Sequence, residues 1–220
     1  MKQVAALLIL CAVCTACSGT ATPVSPSTST SPTPFATSSF TGESTMTFDG
    51  LSGLPCGGRM PGPAFSPNCV VNSYSESGFT VNAIAASWSV RTDYGHPAPF
   101  IEFYVPCVGT PCATPPTPAT GLLQVTAGGA PFNFKSVDLY ASLVPIPYQI
   151  TGLRHSMTAF TIANTLPNTF GDFVTVANPQ AGVVIDTLVI RLTNAVSTMG
   201  LDNIVVTDTN TNSTAPFTTR

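Results

Sequence analysis

Charge is scarce in this chain. Lys, Arg, Asp and Glu together make up 8% of its residues, against the usual quarter or so. The net charge is −3, so no basic footprint exists and nucleic-acid binding is excluded. Histidine occurs twice and tryptophan once. No Cys-x-x-Cys lies beyond residue 17, and neither histidine is near a cysteine in sequence, which argues against a zinc site. A nucleophile elbow of the Gly-x-Ser-x-Gly type, a phosphate loop and a histidine-rich metal motif are all missing, so the usual hydrolase and nucleotide signatures are out. Ser156 beside His155 is adjacency in sequence only, which makes no catalytic pair. No stretch shows a helical period of useful length. Glutamate occurs three times, at Glu43, Glu76 and Glu102, beside seven aspartates, and a pair such as Glu76/Glu102 leaves an opening for glycosidase chemistry. The expectation is a protein that is not an enzyme.

Hydrophobic residues reach 44%, too many for a chain disordered throughout. Residues 1–16 have a cationic start, an apolar run of about ten residues and small residues before Cys17. That run is too short to span a bilayer and reads as a secretion signal. Its ending resembles a bacterial lipoprotein signal, although Cys14 stands where such signals usually carry Leu. The resemblance implies cleavage before Cys17, acylation of Cys17 and a lipid anchor in the bacterial cell envelope, with Ser18 compatible with outer-membrane sorting. In residues 18–39, 17 of 22 are Ser, Thr or Pro, and none is charged. Such a segment buries too little apolar surface to offset its ordering entropy. Residues 17–42 therefore read as a tether, of which residues 18–39 reach roughly 25 Å as a coil or ~70 Å if polyproline-like.

Of seven cysteines, Cys11 and Cys14 leave with the signal and Cys17 carries lipid. Cys56, Cys69, Cys107 and Cys112 remain, and an even number in an exported chain suggests two disulfides. Of the possible connectivities, nearest-neighbour pairing would give Cys56–Cys69 and Cys107–Cys112, each stapling a Pro/Gly-rich loop.

Between residues 43 and 208 short runs alternate apolar and polar residues, separated by Gly, Pro, Asn and Asp. Expected strands include Ser44–Phe48, Gly78–Ala83, Ala86–Arg91, Phe100–Val105, Leu122–Thr126 and Phe134–Ser142. Further along come Tyr148–Gly152, Thr158–Ala163, Asp172–Val176, Val184–Thr193 and Gly200–Thr207. A phase slip at Lys135-Ser136 marks a β-bulge. So many short strands imply an all-β, two-sheet antiparallel sandwich of jelly-roll form, with a disordered N-terminal leader and a fraying tail at 209–220.

Four segments carry a resemblance. They are Thr47-Phe48-Asp49-Gly50-Leu51, residues 73–81, residues 128–139 with Ile150-Thr151-Gly152-Leu153-Arg154, and Gly200-Leu201-Asp202-Asn203-Ile204-Val205-Val206. Together they resemble the galactose-binding-like jelly-roll domains of exported bacterial proteins related to the PEP-CTERM type. The resemblance implies first and last strands that meet and, loosely, glycan binding, since a fold does not fix a function.

In related sandwiches acids near the first and last strands hold a structural Ca²⁺, which makes Asp49, Asp202 and Asn203 candidate ligands. The competing account has Asp202 and Asn203 bonding backbone amides to lock a strand start. Trp88, Arg91, Asp93, Tyr94 and His96 form the candidate ligand-binding set, an aromatic ring plus polar groups as a sugar requires. Trp88 shares a face with Ala86 and Val90, so a core role competes with binding. Arg154-His155 reads as an exposed hairpin turn, and Tyr140, Tyr148 and Phe160 read as sheet-packing residues. The expected function is a non-catalytic envelope lipoprotein, monomeric, that presents a carbohydrate-binding sandwich. The alternatives are an adhesive module that binds an envelope protein and a polysaccharide hydrolase.

Overall fold

Alternation is plainest in residues 121–127 and 188–192, where every second residue is buried. The computed structural model describes residues 42–52, 70–92, 99–104, 119–141, 144–169, 172–194 and 199–209. The expected signal and tether, Cys17, the four cysteines expected to pair (Cys56, Cys69, Cys107, Cys112) and residues 210–220 lie outside these, as do Asp93, Tyr94 and His96. The strands are β1 (Glu43–Met46), β2 (Ser73–Glu76), β3 (Phe79–Ala85), β4 (Ser87–Arg91), β5 (Phe100–Tyr104), β6 (Ala119–Thr126) and β7 (Phe132–Ala141). They continue as β8 (Ile146–Arg154), β9 (Met157–Leu166), β10 (Val174–Ala177), β11 (Val184–Ile185), β12 (Thr187–Asn194) and β13 (Met199–Asp208).

Two antiparallel sheets result. One runs β10-β7-β13-β5-β4, with β1 added on β13 and β11 on β7. The other runs β2-β3-β6-β12-β8-β9. The chain crosses repeatedly between the sheets, and the first and last strands pair, from Glu43↔Thr207 to Met46↔Ile204. The architecture is the expected jelly-roll sandwich, not closed into a barrel. In β12, Leu188, Ile190 and Leu192 are fully buried while Arg191 is exposed, which sets the inner face. Aromatic rings join the two inner faces. Phe79 meets Phe132 edge-on at 5.2 Å, and Phe134 stacks on Phe160 at 6.3 Å.

Three departures from the expected strands have local causes. Val184–Thr193 is not one strand. It breaks at Asp186, where the chain leaves the first sheet as β11 and enters the second as β12. The Asp186 carboxylate accepts the His155 N–H at 2.7 Å and the Thr187 hydroxyl at 3.0 Å, so the switch residue also pins the β8–β9 turn. Ser73–Glu76 forms a strand whose polar residues gave no apolar period. The bulge at Lys135 is present, since Val205 faces Ser136 and Val206 faces Phe134. A second, offsetting bulge lies in β13 between Asp202 and Val205. It falls where β13 exchanges one neighbour for another: β5 pairs with Met199–Leu201, and β1 with residues 204–207. Asn203 takes a left-handed φ of 46° there, a conformation that Asn tolerates better than most residues.

Candidate functional site

The β13 bulge gathers acids. Asp202 and Asp138 are direct cross-strand partners, an arrangement of like charges that destabilises a sheet when both are ionised. Asn203 sits between them. Its backbone N–H donates to Asp202 Oδ1 at 2.8 Å, and its side-chain amide donates to Asp138 Oδ2 at 2.9 Å. Asp138 Oδ1 accepts the Thr175 hydroxyl of β10 at 2.6 Å. Asp202 is only 1% exposed. Burial pushes its carboxyl up to about 7; the Asn203 N–H opposes this, while the charges of Asp138, Asp49 and Glu76 add to it.

Glu76 closes the other side of this cluster. Its carboxylate accepts the backbone N–H groups of Thr47 at 2.9 Å and Phe48 at 3.0 Å, and the Thr47 hydroxyl at 3.0 Å. Phe48 is fully buried with φ 59°, a strained conformation for a bulky residue, and this two-N–H clamp holds it there. Tyr74 packs on Phe48 with ring centroids 5.5 Å apart, and burial raises its phenol pKa, with the nearby Glu76 charge adding. Among the described residues no three His, Cys, Asp or Glu side chains form a group able to hold a metal ion. Asp202 accepts a backbone N–H, the kind of bond the strand-locking alternative invokes, while the Asn203 side chain bonds the Asp138 carboxylate and not a backbone amide.

The expected binding set divides. Trp88 is fully buried in the core, and its indole N–H donates to the Ala85 carbonyl at 3.2 Å. Its ring is therefore not a surface for a ligand; the core alternative, set by its shared face with Val90, describes it. Arg91 is 8% exposed and forms a buried ion pair with Glu102, Nε to Oε2 3.1 Å. That pair sits on the outer face of the first sheet. Beside it Phe100, Tyr140 and Phe173 cluster with centroids 5.3–5.7 Å apart. Gly200 makes room for the cluster, since a Cβ there would lie 2.6 Å from the Phe100 ring. Glu102 faces Arg91 and Glu76 faces the Thr47–Phe48 backbone, so each of these glutamates is bound to a different partner.

A second site was not foreseen. The edge strands β9 and β10 belong to different sheets and leave a cleft of about 480 Å³ between them. Its lining combines the Tyr148 ring, apolar side chains such as Ile162, Leu166 and Val174, the Asn164 amide, and the hydroxyls of Thr165 and Thr175. Every lining residue is uncharged. Tyr148 is half-buried, packs against the core, and has its phenol pKa raised by burial. Thr175 belongs both to this lining and to the Asp138 hydrogen-bond chain, which ties the acid cluster to the cleft rim. One sequence signal marks the place. In β9 the inward phase runs Phe160, Ile162, Asn164, Leu166, and Asn164 is a polar residue at an apolar position.

No family model matches this chain, and no curated protein matches it either. Among solved structures, a DUF4465 family protein from Bacteroides caccae aligns at 9% identity and a TM-score of 0.46, over 76% of this chain and 99% of that one. The enzymatically active domain of tailspike protein 4 from bacteriophage CBA120 aligns at 14% identity and a TM-score of 0.37, over 60% of this chain. The isomalto-dextranase of Arthrobacter globiformis T6, complexed with panose, aligns at 13% identity and a TM-score of 0.30, over 59% of this chain. The match spans only 19% of the tailspike chain and 23% of the dextranase chain. All three scores are below 0.5, so the architecture rests on the strand order and register given above.

Proposed function

We propose that this chain is a non-catalytic bacterial envelope module that binds a neutral glycan in the cleft between β9 and β10. The observation that carries the proposal is the lining of that cleft. A sugar ring offers an apolar C–H face and a rim of hydroxyls. Tyr148 with Ile162, Leu166 and Val174 supplies apolar surface, and Asn164, Thr165 and Thr175 supply amide and hydroxyl partners. The absence of charge from the lining favours a neutral sugar over an acidic one.

The galactose-binding-like resemblance and the lipoprotein-like leader support the same function, with the Ser/Thr/Pro segment holding the sandwich away from the outer membrane. The engagement of Glu76 and Glu102 with separate partners and the uncharged cleft lining favour binding over hydrolysis, and the Asp138–Asp202 pair meets the cleft through the Thr175 hydroxyl. Screening the purified chain on an array of neutral and acidic polysaccharides tests this. Binding should be confined to neutral polymers and be lost in Tyr148→Ala. Retention of binding in that variant, or preference for acidic polymers, would overturn the assignment.

A further inference from the structure

The outer edge of β9 is the one long sheet edge left open among the described residues. The edge strands β1, β2 and β10 have four residues each, and β11 has two. The edge of β4 is covered by the Val70↔Ser89 bridge and by the Val71 N–H, which donates to the Trp88 carbonyl at 2.7 Å. β9 has ten residues, Met157-Thr158-Ala159-Phe160-Thr161-Ile162-Ala163-Asn164-Thr165-Leu166, with no charge and no proline. Edge strands are normally guarded by charge, proline, a bulge or shortness. A register shift skips Ala159, but Phe160–Leu166 then pairs with β8 without interruption.

The free side of this edge can be assigned. Thr165 lies opposite Pro147, which has no N–H, and the Thr165 N–H bonds instead to Asn164 Oδ1 at 2.8 Å. In an antiparallel ladder every second residue points its N–H and C=O away from the partner. Thr161, Ala163 and Thr165 therefore present theirs outward, and all three residues are exposed.

We propose that a second copy of the chain pairs with this edge, β9 against β9 and antiparallel, about a two-fold axis at Ala163. That register sets Thr161 opposite the partner's Thr165 and Ala163 opposite the partner's Ala163. Hydroxyl faces hydroxyl, no like charges meet, and roughly four backbone hydrogen bonds close the seam while each Thr165 N–H stays on Asn164. The edge is complementary to itself, which is why a second copy is the occupant. The pairing replaces the monomer expected from sequence and sets two clefts beside one seam; it stands whatever the clefts bind.

Sedimentation equilibrium of the purified chain, from micromolar to near-millimolar concentration, tests it. The wild type should reach twice the monomer mass. Ala163→Pro removes an outward N–H without touching a β8 bond, and should weaken dimerisation on the order of tenfold or more with unchanged circular dichroism. Ala163→Lys sets like charges face to face and should do the same. Mixing Ala163→Lys with Ala163→Asp should restore the dimer. A wild type that stays monomeric throughout overturns the proposal, as do Pro and Lys variants that dimerise like the wild type. If the proline variant unfolds, the Lys and Asp variants decide.

Discussion

Replacing Asp202 by asparagine should make the protein more stable at alkaline pH and leave it nearly unchanged in acid. Asp202 is buried opposite Asp138, with Asp49 and Glu76 near enough to act on its charge. Its carboxyl moves from an ordinary 3.8 up to about 7 on folding, chiefly through burial. A raised folded-state pKa means that between those two values the native state holds a proton that the unfolded chain has released. Stability from this group is therefore full below about pH 4 and is lost as pH rises through 7. Three or so pH units at about 1.4 kcal/mol each give about 4 kcal/mol, and screening by solvent around the exposed Asp49 lowers this to ~2–3 kcal/mol. Asparagine keeps the shape and the acceptor for the Asn203 N–H, and it carries no charge. Urea unfolding of both proteins from pH 4 to 8.5 should show two curves that meet near pH 4 and separate by ~2–3 kcal/mol above pH 7.5, the variant higher. Taking the difference cancels the slope from other carboxylates. A difference independent of pH would refute the reasoning. A wild type that gains on the variant with rising pH would also refute it, and adding Ca²⁺ shows whether a cation is responsible, because a bound ion would hold Asp202 ionised and reverse the sign.

Two further substitutions probe the frame around the cleft. The β8–β9 turn places His155 at φ 50° and Ser156 at φ 65°, where Asn-Gly is the favoured pair. The double change His155→Asn/Ser156→Gly should therefore stabilise by ~1–2 kcal/mol in chemical denaturation, and a loss of stability would contradict the turn geometry. Gly152 lies beneath the Phe160 ring, and a Cβ there would come within 2.3 Å of it. Gly152→Ala should cost about 2–3 kcal/mol; a neutral result would mean that Phe160 does not cover this glycine.

The fold was legible where one face of a strand is apolar. Leu188, Ile190 and Leu192 in β12 are the plain case, and the phase slip at Lys135 gave away one bulge. Ser73–Glu76 carried no such pattern, because its pairing with β3 is made by backbone and its side chains are mostly polar. The switch at Asp186 was hidden for the opposite reason: β11 and β12 are both apolar, so the run looked continuous. Of the sites, Trp88 showed its core role in the company of Val90, and Asp202 and Asn203 were found near a strand irregularity that only the change of neighbour from β5 to β1 explains. The cleft was not legible, because β9 and β10 come together only when the two sheets stack. Asn164 in an apolar phase was its single trace.

The most direct test of the central claim is an NMR titration of the ¹⁵N-labelled chain with a neutral oligosaccharide drawn from the polymer that the array selects. Amide shifts should concentrate at Tyr148, at residues 162–167 and at residues 174–179, and disappear in Tyr148→Ala. Shifts centred on the Arg91–Glu102 flank, with the β9–β10 cleft unmoved, would contradict it.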